Sequence, residues 1–143
     1  ACAIKRCLDF TNIKVVSFGI RNLSSSEMNF YKKNRDRIEI FWAKDKHEWS
    51  IDKITQIFLN KNVYITFDVD GFDSSIMPAT GTPEPGGFTW EDVIPIVKMV
   101  CKNSNVIGAD INELAPIKNF DSYNFLVAKL AYKILSYTFE FKK

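Results

Sequence analysis

Between Val63 and Asp73 the sequence changes character within a few residues, and this change limits the folds open to the chain. Val63, Tyr64, Ile65, Thr66 and Phe67 form an apolar run of β-branched and aromatic side chains, the composition of a buried strand. Asp68, Asp70 and Asp73 then crowd around Gly71, and a loop rich in Pro, Gly and Thr leads to Thr89-Trp90-Glu91, which reads as a helix start. A buried parallel strand whose carboxyl end carries acids and a loop is where open α/β proteins place their chemistry.

The spacing has a consequence. Side chains two apart on a strand share a face, with Cα atoms about 6.5 Å apart, so Asp68 and Asp70 are predicted to aim at one point. Two carboxylates so placed repel unless a positive charge sits between them, and oxygen ligands suit Mg, Ca or Mn. The plainer reading makes these acids mere punctuation at a strand end. Three acids around one Gly are more than a turn needs.

The rest of the chain alternates strand and helix patterns. Ala1 to Phe10 is a short helical pattern, and Val15 to Ile20 reads as a strand. Ser24 and Glu27 stand at capping-box spacing and open a helix running to about Lys33. Arg37 to Trp42 reads as a strand. Lys46 to Asn60 reads as one helix with Trp49, Ile51, Ile54, Ile57, Phe58 and Leu59 on its apolar stripe. Thr89 to Lys102 is a helix that buries Val93, Ile96, Val97, Val100 and Cys101, with Pro95 a source of irregularity. Val106 to Ile111 is a strand ending in Asp110, and Asp121 to Tyr137 is a final amphipathic helix. This order predicts an α/β fold, a mostly parallel sheet covered on both faces in a three-layer α-β-α arrangement. A chain of 143 residues is long enough for a single domain over 1–143 with its own core.

A formal net charge of +2 with scattered Lys predicts neither a nucleic-acid groove nor a membrane surface. No apolar run approaches the ~20 residues of a membrane span, and no signal-peptide pattern is visible. The cysteines, Cys2, Cys7 and Cys101, are odd in number and lack metal-ligand spacing, which favours reduced thiols inside a cell. Cys2 and Cys7 are expected as small core residues, and His47, among charged neighbours, as solvated surface. The Phe141-Lys142-Lys143 tail is expected to be a solvated end.

D-V-D-G-F-D-S-S-I-M-P-A-T-G-T-P-E-P-G-G, from Asp68, and G-A-D-I-N-E-L-A-P, from Gly108, closely resemble motifs in the second half of a ureohydrolase. These are the arginase–agmatinase family of binuclear manganese hydrolases, and the resemblance spans essentially the whole chain. In that family two manganese ions share a hydroxide that attacks a guanidinium carbon, the pair lowering the pKa of the bound water. The resemblance carries Asp68 and Asp70 onto metal-ligating and catalytic aspartates. It makes Glu113 the acid facing the substrate guanidinium, a planar group able to give a carboxylate two parallel hydrogen bonds. Asp73 and Asp110 become acids that orient the ligands or the loop from behind, and Thr82 a hydroxyl beside the pocket. Pro78, Pro83 and Pro85 stiffen the loop, which is expected to be a fixed wall rather than a lid, and Ser74 stands where most relatives have Pro.

The resemblance further implies a small guanidino substrate, a homo-oligomer (trimer or hexamer), no nucleic-acid or membrane partner, and a cytoplasmic or mitochondrial location. The motif spelling and the opening A-C-A-I-K-R point to agmatine, cleaved to putrescine and urea, ahead of arginine or formiminoglutamate. The family's other ligands lie in G-G-D-H and D-A-H-x-D segments that do not occur here, and His47 is the only histidine. The chain is therefore expected to hold half a site, as a piece of something longer that begins with Ala rather than Met. A non-enzymatic module is the competing expectation. Strand-plus-D-x-D-G phosphatases are a further rival, but they want Thr where Phe72 stands.

Overall fold

The computed structural model describes residues 3–142, so the expectation for Cys2 lies outside it. Two compact units, residues 1–48 and 49–143, are taken in turn.

In the first unit, α1 (Ala3–Cys7) is shorter than the ten-residue pattern suggested. Leu8 is buried, whereas Cys7 is exposed; the helix ends beside it, so it has no packed face to join. β1 (Val15–Ile20) pairs in parallel with β2 (Ile38–Trp42), and Phe18 stacks on Phe41 at 4.8 Å. α2 (Ser25–Lys33) opens on the predicted capping box, with the Ser24 backbone N–H donating to the Glu27 carboxylate at 2.8 Å. Arg37 fastens the turn before β1, its guanidinium donating to the carbonyls of Leu8 at 2.9 Å and Ile13 at 3.0 Å. Asn34 and Arg37 thus close the unit through backbone contacts that hydropathy does not reveal.

A 3-10 turn over 43–48 carries His47, exposed as expected. The single helix predicted from Lys46 to Asn60 is not formed. Ser50 adopts an extended conformation and its side chain accepts from the Lys53 N–H, capping a shorter α3 (Ile51–Phe58). A serine competes for nearby amides in this way, and it places the break after Trp49. Only Ile54 and Phe58 of the predicted stripe are buried, while Ile51 is 52 % exposed.

The second unit holds β3 (Asn62–Asp68) and β4 (Asn105–Asn112), paired in parallel with Asp68 opposite Asn112. α4 (Trp90–Asn103) opens on a capping box between Thr89 and Asp92 and carries Pro95 without a break. It packs against α3 and α5 (Asp121–Glu140), and α5 lies on β4. Val93, Val97, Val100 and Cys101 meet Val127, Leu130 and Ile134 in the core, while Ile96 is only half-buried. Val63, Ile65 and Phe67 face inward. The opposite face of this sheet, bearing Tyr64, Thr66 and Asp68, is open among the described residues because every second position of β3 is polar or amphipathic. No helix of the described residues is long and apolar enough to cross a membrane.

Candidate functional site

β3 ends at Asp68, and Val69, Asp70 and Gly71 turn as one 3-10 step. Asp70 is therefore not on the strand, contrary to the alternation argument. Val69 is fully buried within that turn. The turn still brings the two acids together: the Asp70 N–H donates to Asp68 Oδ1 at 3.1 Å. Partial burial, and then the neighbouring Asp70 and Glu113 charges, push the Asp68 carboxyl up to about 6 against that one favourable bond. Thr82 Oγ1 donates to Asp70 Oδ2 at 2.9 Å, so the predicted hydroxyl contact reaches one of the paired acids directly.

Glu113 follows β4 directly and takes a left-handed φ of 64°, a conformation that costs a non-Gly residue about 1–3 kcal/mol. Its Oε2 lies 3.9 Å from where a Cβ on Gly81 would stand. The loop and the strand end are tied there by the Thr80–Leu114 bridge and by the Ala115 N–H to the Ala79 carbonyl at 2.9 Å. Thr80 is 8 % exposed, and its Oγ1 has no hydrogen-bond partner among the described residues.

Asp73 stands apart from this cluster. Its carboxylate accepts from Ser75 through both hydroxyl and backbone, and from the N–H groups of Gly86 at 2.7 Å and Gly87 at 3.2 Å. Those bonds, the Ser75 hydroxyl foremost, hold its pKa down to about 2. Asp73 N–H bonds the Phe88 carbonyl at 2.8 Å, and Phe88 N–H bonds that of Gly71 at 2.9 Å, so the loop is closed at its base. Gly87 makes this closure possible, since a Cβ there would stand 2.5 Å from the Phe72 carbonyl carbon. Phe72, Met77, Ala79 and Phe88 fill the inside of the loop, which suits the fixed wall expected of it.

Asp110 lies on the open sheet face that also bears Asp68, opposite Thr66 and one pleat back from the strand end. It accepts from Thr66 Oγ1 at 2.7 Å and from the Asn112 carboxamide, and hydrogen bonding, that of Thr66 foremost, lowers its pKa. Tyr64, Thr66 and Asn112 were missed by motif reading. The signal lay in the register of two strands some forty residues apart, with period-2 polar positions facing one another.

Comparison with known proteins bears directly on this arrangement of acids. A family model described as "Arginase family" matches residues 1–136. The chain belongs to the arginase family. It is 35% identical over 140 residues to the N(1)-aminopropylagmatine ureohydrolase of Synechocystis sp., covering 96% of this chain and 44% of that protein. It is 32% identical over 136 residues to an agmatinase of Pyrococcus horikoshii, covering 94% and 46% respectively. The crystal structure of the agmatine ureohydrolase of Thermoplasma volcanium superposes with a TM-score of 0.78 at 28% identity, over 96% of this chain and 46% of that one. The α/β class read from the sequence is thus the arginase-family fold. The chain spans less than half the length of these relatives.

Manganese, which the family implies, can be tested against the residues present. Asp68 and Asp70 offer adjacent oxygen donors whose mutual repulsion a hard divalent cation would relieve, so the pair fits one side of such an ion. No group of three or more His, Cys, Asp or Glu among the described residues is placed to hold a metal.

Proposed function

We propose that this chain supplies half of the active centre of a manganese-dependent ureohydrolase that cleaves a guanidino C–N bond and releases urea. The substrate is agmatine or its N(1)-aminopropyl derivative, which present the same guanidinium. The observation that carries this reading is the convergence of Asp68, Asp70 and Glu113 at the carboxyl ends of two parallel strands, where Thr82 and Gly81 of one loop meet Asp70 and Glu113.

Asp68 and Asp70 would hold manganese, which when bound supplies Lewis-acid activation of a water molecule near neutral pH. Thr82 keeps Asp70 in one rotamer by donating to Oδ2, leaving Oδ1 to face a cation. Glu113 accepts from the guanidinium through both oxygens, which orients the plane of that group and matches its charge. Asp73 fixes the loop behind these groups, and the loop excludes water on that side through Met77, Ala79 and Phe72.

The test is urea release by the intact protein, loaded with manganese and offered agmatine, N(1)-aminopropylagmatine, arginine and formiminoglutamate. The agmatine-type substrates are expected to show the highest kcat/KM. Preference for arginine would overturn the substrate assignment, and no urea from any of the four would favour the non-enzymatic module.

A further inference from the structure

Glu113 holds a left-handed backbone conformation that is retained only where its surroundings over-determine it. Its C-terminal side is fixed by the Thr80–Leu114 bridge and the Ala115–Ala79 hydrogen bond. Its N-terminal side is Asn112, the last residue of β4 and the register partner of Asp68. The Asn112 carboxamide donates to Asp110 Oδ1 and reaches Thr66 Oγ1 at 3.3 Å, while Thr66 Oγ1 donates to the same Asp110 oxygen at 2.7 Å. On the same face the Tyr64 ring crosses β4 where a Cβ on Gly108 would be 2.7 Å away.

A backbone ladder does not need these side-chain bonds to keep β3 and β4 together. They lock the direction of the final β4 residue, and Glu113 is the next atom group along. We propose that Asn112 is a positioning residue for Glu113, acting through Asp110 and Thr66 to hold the Glu113 carboxylate beside Gly81 where the guanidinium docks. The inference rests on the reading of Glu113 as the guanidinium acid.

The experiment compares Asn112→Val, Glu113→Gln and the double variant in the intact manganese-loaded protein, measuring kcat, KM for agmatine, manganese content and Tm. Calorimetric agmatine Kd on the metal-free protein gives a readout independent of turnover. Asn112→Val is expected to raise KM and Kd about tenfold with kcat and manganese content little changed, and to add nothing once Glu113 is already Gln. Thr66→Val, which removes a second donor to Asp110, shifts KM the same way and serves if Asn112→Val does not fold. Additive effects in the double variant overturn the proposal, as does a lowered Tm with unchanged KM. An impaired Glu113→Gln beside an unimpaired Asn112→Val refutes this inference alone. An unimpaired Glu113→Gln, or no agmatine binding by the unsubstituted protein, removes the role of Glu113 and this inference with it.

Discussion

Asp68 and Asp73 are five residues apart and are treated in opposite ways. Asp73 receives hydrogen bonds from Ser75, Gly86 and Gly87 and is held at a pKa of about 2. Asp68 receives the Asp70 N–H, but partial burial foremost, and then the Asp70 and Glu113 charges, push it up to about 6. One carboxylate is satisfied by the protein and builds structure; the other is left in electrostatic debt that a cation would settle. Acids of one motif therefore divide into scaffold and site by how far each is buried and how many donors are aimed at it.

Replacing an acid of the unsatisfied cluster gives the largest effect. Asp70→Asn keeps the shape but weakens one side of the cation site, and turnover by the intact protein is expected to fall by more than about 10³-fold with loss of at least one manganese. Near-normal turnover with full metal content by elemental analysis removes Asp70 from the ligand set. Glu113→Gln follows. Losing a charge-assisted bidentate pair is expected to cost about 2–4 kcal/mol, roughly 30- to 1000-fold in kcat/KM for agmatine, with manganese content unchanged. Metal loss in that variant would move Glu113 to the metal side.

The satisfied acid should show the smallest catalytic effect and a clear effect on stability. Asp73→Asn turns an NH₂ group toward the Gly86 and Gly87 amides and is expected to cost about 1–2 kcal/mol by urea denaturation, modest because the carboxylate faces solvent. The pH dependence has a definite sign. The folded pKa of Asp73 lies below the ordinary 3.8, so its contribution is present above about pH 4 and is lost as pH falls toward 2. Asp73→Asn should flatten the stability curve in that window. If the curve keeps its slope, the contrast between Asp68 and Asp73 is wrong.

Much of this was legible in the sequence because it rests on local chemistry. The Ser24–Glu27 capping box, β1 and the apolar half of β3 follow from propensity and period. Strand alternation places Asp68 and Asp70 on one face, whereas Asp70 sits in a 3-10 turn after the buried Val69 and meets Asp68 through its backbone N–H. The break at Ser50 was hidden because an apolar stripe continues across it, and periodicity cannot see a side chain capping an amide. The Thr66–Asp110–Asn112 network was hidden for a different reason. It depends on which residue of β4 stands opposite which residue of β3, and a register shift between Val63 and Tyr64 sets that pairing.

The loop from Asp73 to Phe88 is closed at its base, filled by its own apolar side chains and tied at Thr82 to Asp70 and at Ala79 and Thr80 to the segment after Glu113. Such a segment behaves mechanically as one part, and none of its turns is independent of the others. A changed length or altered turn anywhere within it would be transmitted at once to both acids that frame the pocket.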